Sequence, residues 1–178
     1  MSKYFKDFDL SSFWEDSEYA RKSYVEKQAN KELIKEIEAE LGYKLPNSYI
    51  ELMMSQNGGI PVNTCFPIVQ RDSWIENYVV ISGIMGIGRE KIYSLCGNIG
   101  SQFMITEWGY PDIGIYFGDC PSAGHDMICL DYSQCAKDGE PRVVHVDQES
   151  DYQITFLADN FEDFIKALVN EEIFEEDV

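Results

Sequence analysis

Residues 30–59, NKELIKEIEAELGYKLPNSYIELMMSQNGG, contain two helical patterns separated by a Leu-Pro step. In the first pattern, Asn30 is a favourable N-cap, apolar residues recur at helical spacing, and Gly42 is placed to end the helix. Pro46 disfavours helical geometry at the residue before it and can itself begin the next helix. The stretch therefore predicts two helices joined at the Leu-Pro step, the second ending in Asn-Gly-Gly.

From about residue 60 to residue 158 the pattern changes to short β-branched and aromatic runs separated by Gly, Pro and Asn, which is typical of strands. Because the runs are short and closely spaced, we expect a largely antiparallel sheet of five or six strands. If RVVHV returns as the antiparallel neighbour of DMICLDY, His145 points to the same face as Val143 and Asp147. The runs are NYVVISGI (77–84), SQFMITEW (101–108), IGIYFG (113–118), DMICLDY (126–132), RVVHV (142–146) and QITFLA (153–158).

The two ends of the chain add further helical signals. Ser11 or Ser12 is the candidate N-cap of an N-terminal helix. Near the C-terminus, an amphipathic helix is predicted to pack on the sheet. Its apolar face consists of Phe161, Phe164, Ile165, Leu168 and Val169. The expected fold is α+β in a single domain, divided into an N-terminal helical extension (1–29), the main domain (30–172) and an acidic tail (173–178).

The composition is that of a globular and strongly acidic protein. The 178 residues suffice for one sizeable core, with 44% hydrophobic and 13% aromatic residues. The formal net charge of −18 argues against nucleic acid or an anionic membrane as partner, because binding to either polyanion requires Lys and Arg. A basic protein partner is favoured instead.

The sequence predicts a cytoplasmic protein. The N-terminal stretch lacks the uninterrupted apolar core of a signal peptide, and no segment approaches the roughly 18 apolar residues of a membrane span. The five cysteines are an odd number and fit no closed disulfide framework. We therefore expect free thiols, as is usual in the cytoplasm.

Motifs for catalysis and cofactor binding are weak in this sequence. The run GIMGIGREK (83–91) has three glycines but neither the dinucleotide-binding nor the phosphate-loop spacing. Only His125 and His145 could serve as the usual catalytic base, and no serine lies in a G-x-S-x-G elbow. We expect no catalytic residues and no cofactor.

The stretch DCPSAGHDMICLDYSQC (119–135) concentrates cysteine, histidine and aspartate, and it admits three interpretations. Its apolar centre predicts a covered strand, with Cys129 as a core residue and His145 as a partly buried structural histidine in the neighbouring strand. A metal site and a thiol active site are the functional alternatives, although zinc needs three or four closely spaced ligands. In the structural interpretation, Gly124 permits a tight turn into the strand while Asp119 and Asp126 satisfy loop amides. The candidate ligands at the strand entrance are Asp119, Cys120, His125 and Asp126.

The order of these motifs resembles the SUKH superfamily, in its Smi/Knr-like branch. The resemblance covers about residues 30–170 and leaves residues 1–28 outside the family pattern. The matching positions are Glu38, Glu40, Leu45-Pro46, Asn57 to Gly59, Gly124 to Asp131, Pro141 to Val146, and Phe161 to Leu168.

The resemblance implies a non-enzymatic α+β binding domain without a cofactor. Many bacterial members look like immunity proteins that neutralise polymorphic toxins, often nucleases, and a fungal branch regulates cell-wall synthesis through protein contacts. An acidic inhibitor can be steered to a basic nuclease groove. The leading hypothesis is therefore an immunity protein. The alternatives are a regulatory interaction module without a toxin, and a small metal-dependent or thiol hydrolase using the four candidate ligands above.

A candidate partner-binding surface is predicted around TEWGYPDIGIYFGDC (106–120). Aromatic side chains flanked by carboxylates have the composition of a hot spot that meets a basic groove. The alternative is that the two loop aromatics fill one end of the core. The predicted partner-binding residues are Trp108, Tyr110, Asp112, Asp119 and Asp126.

Overall fold

The computed structural model describes residues 3–68 and 78–174, which contain short helices and mostly antiparallel strands. None of the helices in this part of the chain has the length and apolar character that a membrane crossing demands. In chain order the elements are α1 (Glu18–Ser23), α2 (Lys31–Leu41), α3 (Asn47–Ser55), β1 (Cys65–Pro67), β2 (Tyr78–Val80), β3 (Gly83–Ile84), α4 (Ser101–Thr106), β4 (Gly114–Asp119), β5 (Asp126–Asp131), β6 (Arg142–Asp147), β7 (Gln153–Ala158) and α5 (Phe161–Lys166).

The main sheet has five strands in the order β3-β4-β5-β6-β7, all neighbours antiparallel, and β1 and β2 form a separate pair. The apolar runs of β4 and β5 are buried along nearly their whole length. The α+β fold with an antiparallel sheet is confirmed, and RVVHV is the antiparallel neighbour of DMICLDY.

The two predicted helices in residues 30–59 are confirmed. The side chain of Asn30 accepts a hydrogen bond from the Leu33 N–H at 2.8 Å, as an N-cap does. Gly42 adopts a left-handed conformation with φ of 83° and ends α2. Pro46 is the N-cap of α3, whose buried face includes Tyr49.

The prediction of a strand at residues 101–108 is wrong, because residues 101–106 form α4. Its buried residues, Ser101 and Met104, lie one turn apart and do not alternate as strand residues would. The Ser101 hydroxyl oxygen accepts a hydrogen bond from the backbone N–H of Tyr116 at 2.9 Å, so the helix packs against β4. Without a strand here, β3 pairs directly with β4.

The helix positions predicted at the two ends are also corrected. The N-cap of α1 is Ser17 rather than Ser11 or Ser12. The C-terminal helix ends at Lys166 and does not reach Val169, because the backbone of Val169 pairs with that of Cys65 in an antiparallel bridge. The bridge consists of two backbone hydrogen bonds, of 3.1 and 2.8 Å, and it replaces a further turn of the helix.

The residues before α2 contribute to the same core as the main domain, since Phe5, Phe13 and Tyr24 are buried in it. Within residues 3–29 the one α-helix is α1. The last four residues of the predicted acidic tail, 175–178, lie outside the described part of the chain. The division at residues 29 and 172 therefore stays a prediction.

The Asn-Gly-Gly segment after α3 packs against the end of β3. Gly59 and Ile84 exchange two backbone hydrogen bonds, of 3.0 and 2.8 Å. Gly58 has φ of 89°, and a Cβ atom placed on it would come within 2.6 Å of the backbone N of Gly86 and the carbonyl oxygen of Tyr24. This backbone approach leaves no room for a side chain.

Replacing Gly58 with Ala is therefore expected to lower the free energy of unfolding by about 3 kcal/mol, from left-handed strain and overpacking together. Gly42 is the matched control, because its φ is 83° and a Cβ atom placed on it would have no neighbour within 4 Å. Gly42→Ala should cost only the conformational strain, about 1 kcal/mol. Urea unfolding measures both values, and equal losses would contradict the close approach at Gly58.

Candidate functional site

An aromatic-lined cavity of about 500 Å³ lies beside the turn that joins β4 to β5. Its walls come from α1 and the residue after it, the loop that follows β3, α4 with its C-terminal extension, and the turn itself. Residues that are far apart in the sequence therefore meet at one concave surface. The side chains that matter for its chemistry are Tyr19, Tyr24, Tyr93, Phe103, Trp108 and Asp119.

Asp119, the last residue of β4, is hydrogen-bonded to Tyr24. The Tyr24 hydroxyl lies 2.9 Å from both carboxylate oxygens and donates to the carboxylate. Asp119 is paired with Gly83 across the β3–β4 register, and a Cβ atom on Gly83 would overlap the Tyr24 ring. The absent side chain at Gly83 thus lets the ring cross the edge strand and reach the carboxylate.

Tyr93 is held against Tyr24 by the loop after β3. The two rings are stacked, with centroids 4.7 Å apart and an interplanar angle of 16°. The backbone N–H of Tyr93 donates to the carbonyl oxygen of Ser23 at 3.1 Å. The Glu26 carboxylate accepts hydrogen bonds from two backbone N–H groups of the loop and from the Ser94 hydroxyl, which fixes the loop conformation.

The carboxyl group of Asp119 is unusual in its burial and in its partners. The residue is 9% exposed, and among the described residues its electrostatic partners include no Lys, Arg or His. Burial raises its pKa to about 6, although the hydrogen bond from Tyr24 acts in the opposite direction. Burial also raises the pKa of Tyr24 and of Tyr93, and the nearby Asp119 charge adds to both shifts.

The two predicted loop aromatics have different positions. Trp108 lines the cavity and covers Gly124, where φ is 94° and a Cβ atom would lie 3.2 Å from the indole. Its ring also meets His125 edge-on, at a centroid distance of 5.5 Å. Tyr110 is 2% exposed and its hydroxyl donates to the carbonyl oxygen of Gly124 at 2.6 Å. Tyr110 therefore fills the core, and Trp108 alone of the two faces the cavity.

Asp112 does not lie with the other predicted carboxylates. It precedes β4 at the end where Gly114 pairs with Asp131, whereas Asp119 pairs with Met127 at the opposite end. The strand β4, which spans about 17 Å, lies between the two carboxylates. Trp108 and Asp119 thus share one surface, and Asp112 is exposed on another.

A second cluster joins Cys120, Asp126 and His145, whose possible ligand atoms all lie within 4.8 Å of one another. His145 is opposite Ile128 in the β5–β6 register and reaches Asp126 diagonally, with Nε2 2.7 Å from the carboxylate oxygen. The Ser122 hydroxyl donates to the other carboxylate oxygen. By ligand type these three residues are the ones in the described chain that could hold zinc.

The predicted set of Asp119, Cys120, His125 and Asp126 is not brought together. The Nδ1 atom of His125 lies 2.9 Å from the side-chain oxygen of Gln148, away from the cysteine. His145 takes its place beside Cys120 and Asp126. The sequence pattern allowed RVVHV to be the neighbouring strand, but the long loop before it left the register open.

The electrostatics around Cys120 oppose thiol chemistry. Burial raises the pKa of the Cys120 thiol well above its ordinary value, and the charge of Asp126 raises it further. Burial also raises the pKa of Asp126, but hydrogen bonds from His145 and Ser122 outweigh it and the net pKa is lowered. The thiol thus stays protonated beside an ionised carboxylate, the reverse of an activated nucleophile.

Comparison with known protein families places the chain among its relatives. A family model of the SUKH superfamily, described as SMI1-KNR4 cell-wall, matches residues 31–165, about three quarters of the chain. The chain belongs to the SUKH superfamily. Proteins of this superfamily are generally non-enzymatic domains with immunity or regulatory roles. No curated protein is significantly similar to the chain.

The cavity of this SUKH domain combines residues inside and outside the family match. Tyr93, Trp108 and Asp119 fall within residues 31–165, but Tyr19 and Tyr24 precede them. The sequence held no local signal for the contact between Tyr24 and Asp119, which are 95 positions apart. The N-terminal segment, whose role the sequence left open, therefore forms part of the candidate site.

Asp119→Asn is expected to remove a pH dependence of stability. The folded-state pKa of Asp119, about 6, exceeds the ordinary value of 3.8. The stabilisation by this group is therefore complete below pH 3.8 and is lost as the pH rises through about 6. The shift of about two pKa units corresponds to about 3 kcal/mol. Between about pH 4 and pH 8, the free energy of unfolding of the wild type should fall by this amount relative to that of the variant, as measured by urea unfolding.

The control for this measurement is Asp112→Asn, which removes an exposed carboxylate. The change of relative stability with pH should be larger for Asp119→Asn than for this control. A pH-independent difference for Asp119→Asn would contradict the burial of an ionisable carboxyl group in the cavity.

Thiol labelling of the native protein should distinguish the cysteines. Cys120 and Cys129 are 3% and 0% exposed, so neither should react with a thiol reagent until the protein unfolds. Cys135 is partly exposed and should react first of the three. Mass spectrometry after short labelling identifies the modified residue, and rapid modification of Cys120 would support the thiol-hydrolase alternative.

Proposed function

We propose that this chain is a non-enzymatic protein-binding domain that neutralises a cognate bacterial toxin, and thus acts as an immunity protein in the cytoplasm. The observation that carries the proposal is the SUKH match across residues 31–165, since this superfamily is generally one of immunity and regulatory domains. The domain would inhibit the toxin by covering its active-site surface.

The charge of the protein supports a basic partner. At a formal net charge of −18, the chain attracts basic surfaces over several ångströms and repels polyanions. A nuclease toxin carries a basic groove that holds nucleic acid phosphates, and an acidic inhibitor can occupy the same positions with carboxylates. A nuclease is therefore the class of toxin that we favour.

The side-chain geometry supports binding over catalysis. In the cavity, the Asp119 carboxylate is hydrogen-bonded to the Tyr24 hydroxyl, whose pKa is raised, so this tyrosine is not an activated nucleophile. The one Cys-Asp-His cluster among the described residues has a protonated thiol and a carboxylate already bonded to His145. Of the four residues that the hydrolase hypothesis used, His125 is not part of this cluster, and its Nδ1 atom lies 2.9 Å from the side-chain oxygen of Gln148.

A regulatory interaction module without a toxin is the second candidate. The description of the matching family, SMI1-KNR4 cell-wall, favours it, because that name refers to cell-wall function and not to a toxin. Both candidates are binding domains, so the identity of the partner decides between them.

The test is coexpression with the product of the adjacent gene. If the neighbour encodes a toxin, its expression alone should arrest growth, coexpression of this chain should restore growth, and the two proteins should copurify. The association rate should fall as ionic strength rises, because opposite charges steer the encounter. A toxic neighbour that is neither bound nor neutralised would overturn the immunity function, and a bound neighbour without toxicity would support the regulatory module.

A further inference from the structure

We infer that the aromatic cavity receives a basic side chain, Arg or Lys, which projects from the protein partner and pairs with Asp119. The inference rests on the proposed function only in taking the partner to be a protein. It goes further by naming the chemical group that is bound and the residues that bind it.

Asp119 is a buried carboxyl group whose charge has no counterpart in the described residues. Its hydrogen-bond donors are the Tyr24 hydroxyl and its own backbone, and no cation in the described part of the chain balances it. A buried carboxylate without a cation is costly to maintain. An asparagine could accept the same Tyr24 hydrogen bond at the same size, so the hydrogen bond alone gives no reason for a charge at this position.

The walls of the cavity are suited to a cation. Tyr24 and Tyr93 are stacked beside the carboxylate, and Trp108 and Phe103 also line the cavity. The faces of aromatic rings attract ammonium and guanidinium groups, and the attraction increases when water is excluded. None of the lining residues is Lys or Arg, so no residue of the cavity wall occupies this cation position.

The cavity is accessible from the solvent at its rim. Tyr19 is 58% exposed, and Pro121 and Ala123 in the turn are exposed or partly exposed. These residues form the rim, whereas Asp119 and Tyr24 lie at the base. A long flexible side chain with a charged end fits a cavity with an exposed rim and a carboxylate at its base. Its alkyl stem can contact the apolar walls while the charge reaches Asp119.

The experiment uses small probes of the bound group. Binding of N-acetyl-arginine amide and N-acetyl-lysine amide to the full chain is followed by NMR, with N-acetyl-citrulline amide as the neutral analogue of the arginine probe. The basic probes should shift the resonances of Trp108 and of the residues around Asp119. Equal shifts with the citrulline probe would overturn the inference, because the recognition would not depend on charge.

Asp119→Asn and Asp112→Asn form a matched pair of variants, since each removes one negative charge. Asp119→Asn should weaken the binding of the arginine probe about tenfold or more, and Asp112→Asn should leave it unchanged. Equal effects of the two variants would overturn the inference, because only the net charge would then matter. Because the comparison of the arginine and citrulline probes uses the wild-type protein, the inference stays falsifiable if Asp119→Asn is poorly folded.

The same pair separates this inference from the proposed function. If the neighbouring gene product binds the wild type and Asp119→Asn with equal affinity, its basic side chain does not enter the cavity and the inference fails while the function stands. If the probes bind as described and the neighbour is not neutralised, the immunity function fails alone. A loss of partner affinity in Asp119→Asn but not in Asp112→Asn supports the inference.

Discussion

The buried side chain of Asn57 joins three parts of the chain that are distant in sequence. Its amide nitrogen donates to the carbonyl oxygens of Lys27 and Ile87, at 2.7 and 3.0 Å, and its amide oxygen accepts from the Ile87 N–H at 2.7 Å. Asn57 is 2% exposed and Ile87 is fully buried, so the two backbone groups of Ile87 would be left unpaired and desolvated without this side chain. The segment before α2, the end of α3 and the chain after β3 are therefore fixed relative to one another.

The candidate site depends on this junction. The carbonyl oxygen of Asn57 accepts from the N–H of Glu26 at 2.9 Å, and Glu26 in turn holds the loop that carries Tyr93. Tyr24, two residues earlier, is directed across Gly83 to Asp119. The hydrogen bonds of one residue thus help to set the distance between the aromatic wall and the carboxylate, although Asn57 is hydrogen-bonded to neither.

Local signals predicted the parts of the fold that local interactions determine. The capping residue Asn30, the left-handed Gly42 and Pro46 each act within a few positions, and both helices were predicted from them. Residues 101–106 were misassigned because an apolar run of this length fits a strand or a helix equally, and the packing of Ser101 on Tyr116 decides between them. Likewise Trp108 and Asp119 were recognisable by residue type, but their contacts with Gly124 and Tyr24 depend on tertiary structure, and so does the pairing of Asp126 with His145.

The division of the cavity between two segments has a consequence for specificity. The strands β4 and β5, which carry Asp119 and the turn, are buried along nearly their whole length, so most substitutions there would disturb the core. Tyr19 lies on the short helix α1, outside residues 31–165, and is 58% exposed. Substitutions at such a position change the mouth of the cavity at little cost in stability. The charge at the base can therefore stay constant while the rim varies, which is how one scaffold can keep a basic side chain as its target and still discriminate among the proteins that present it.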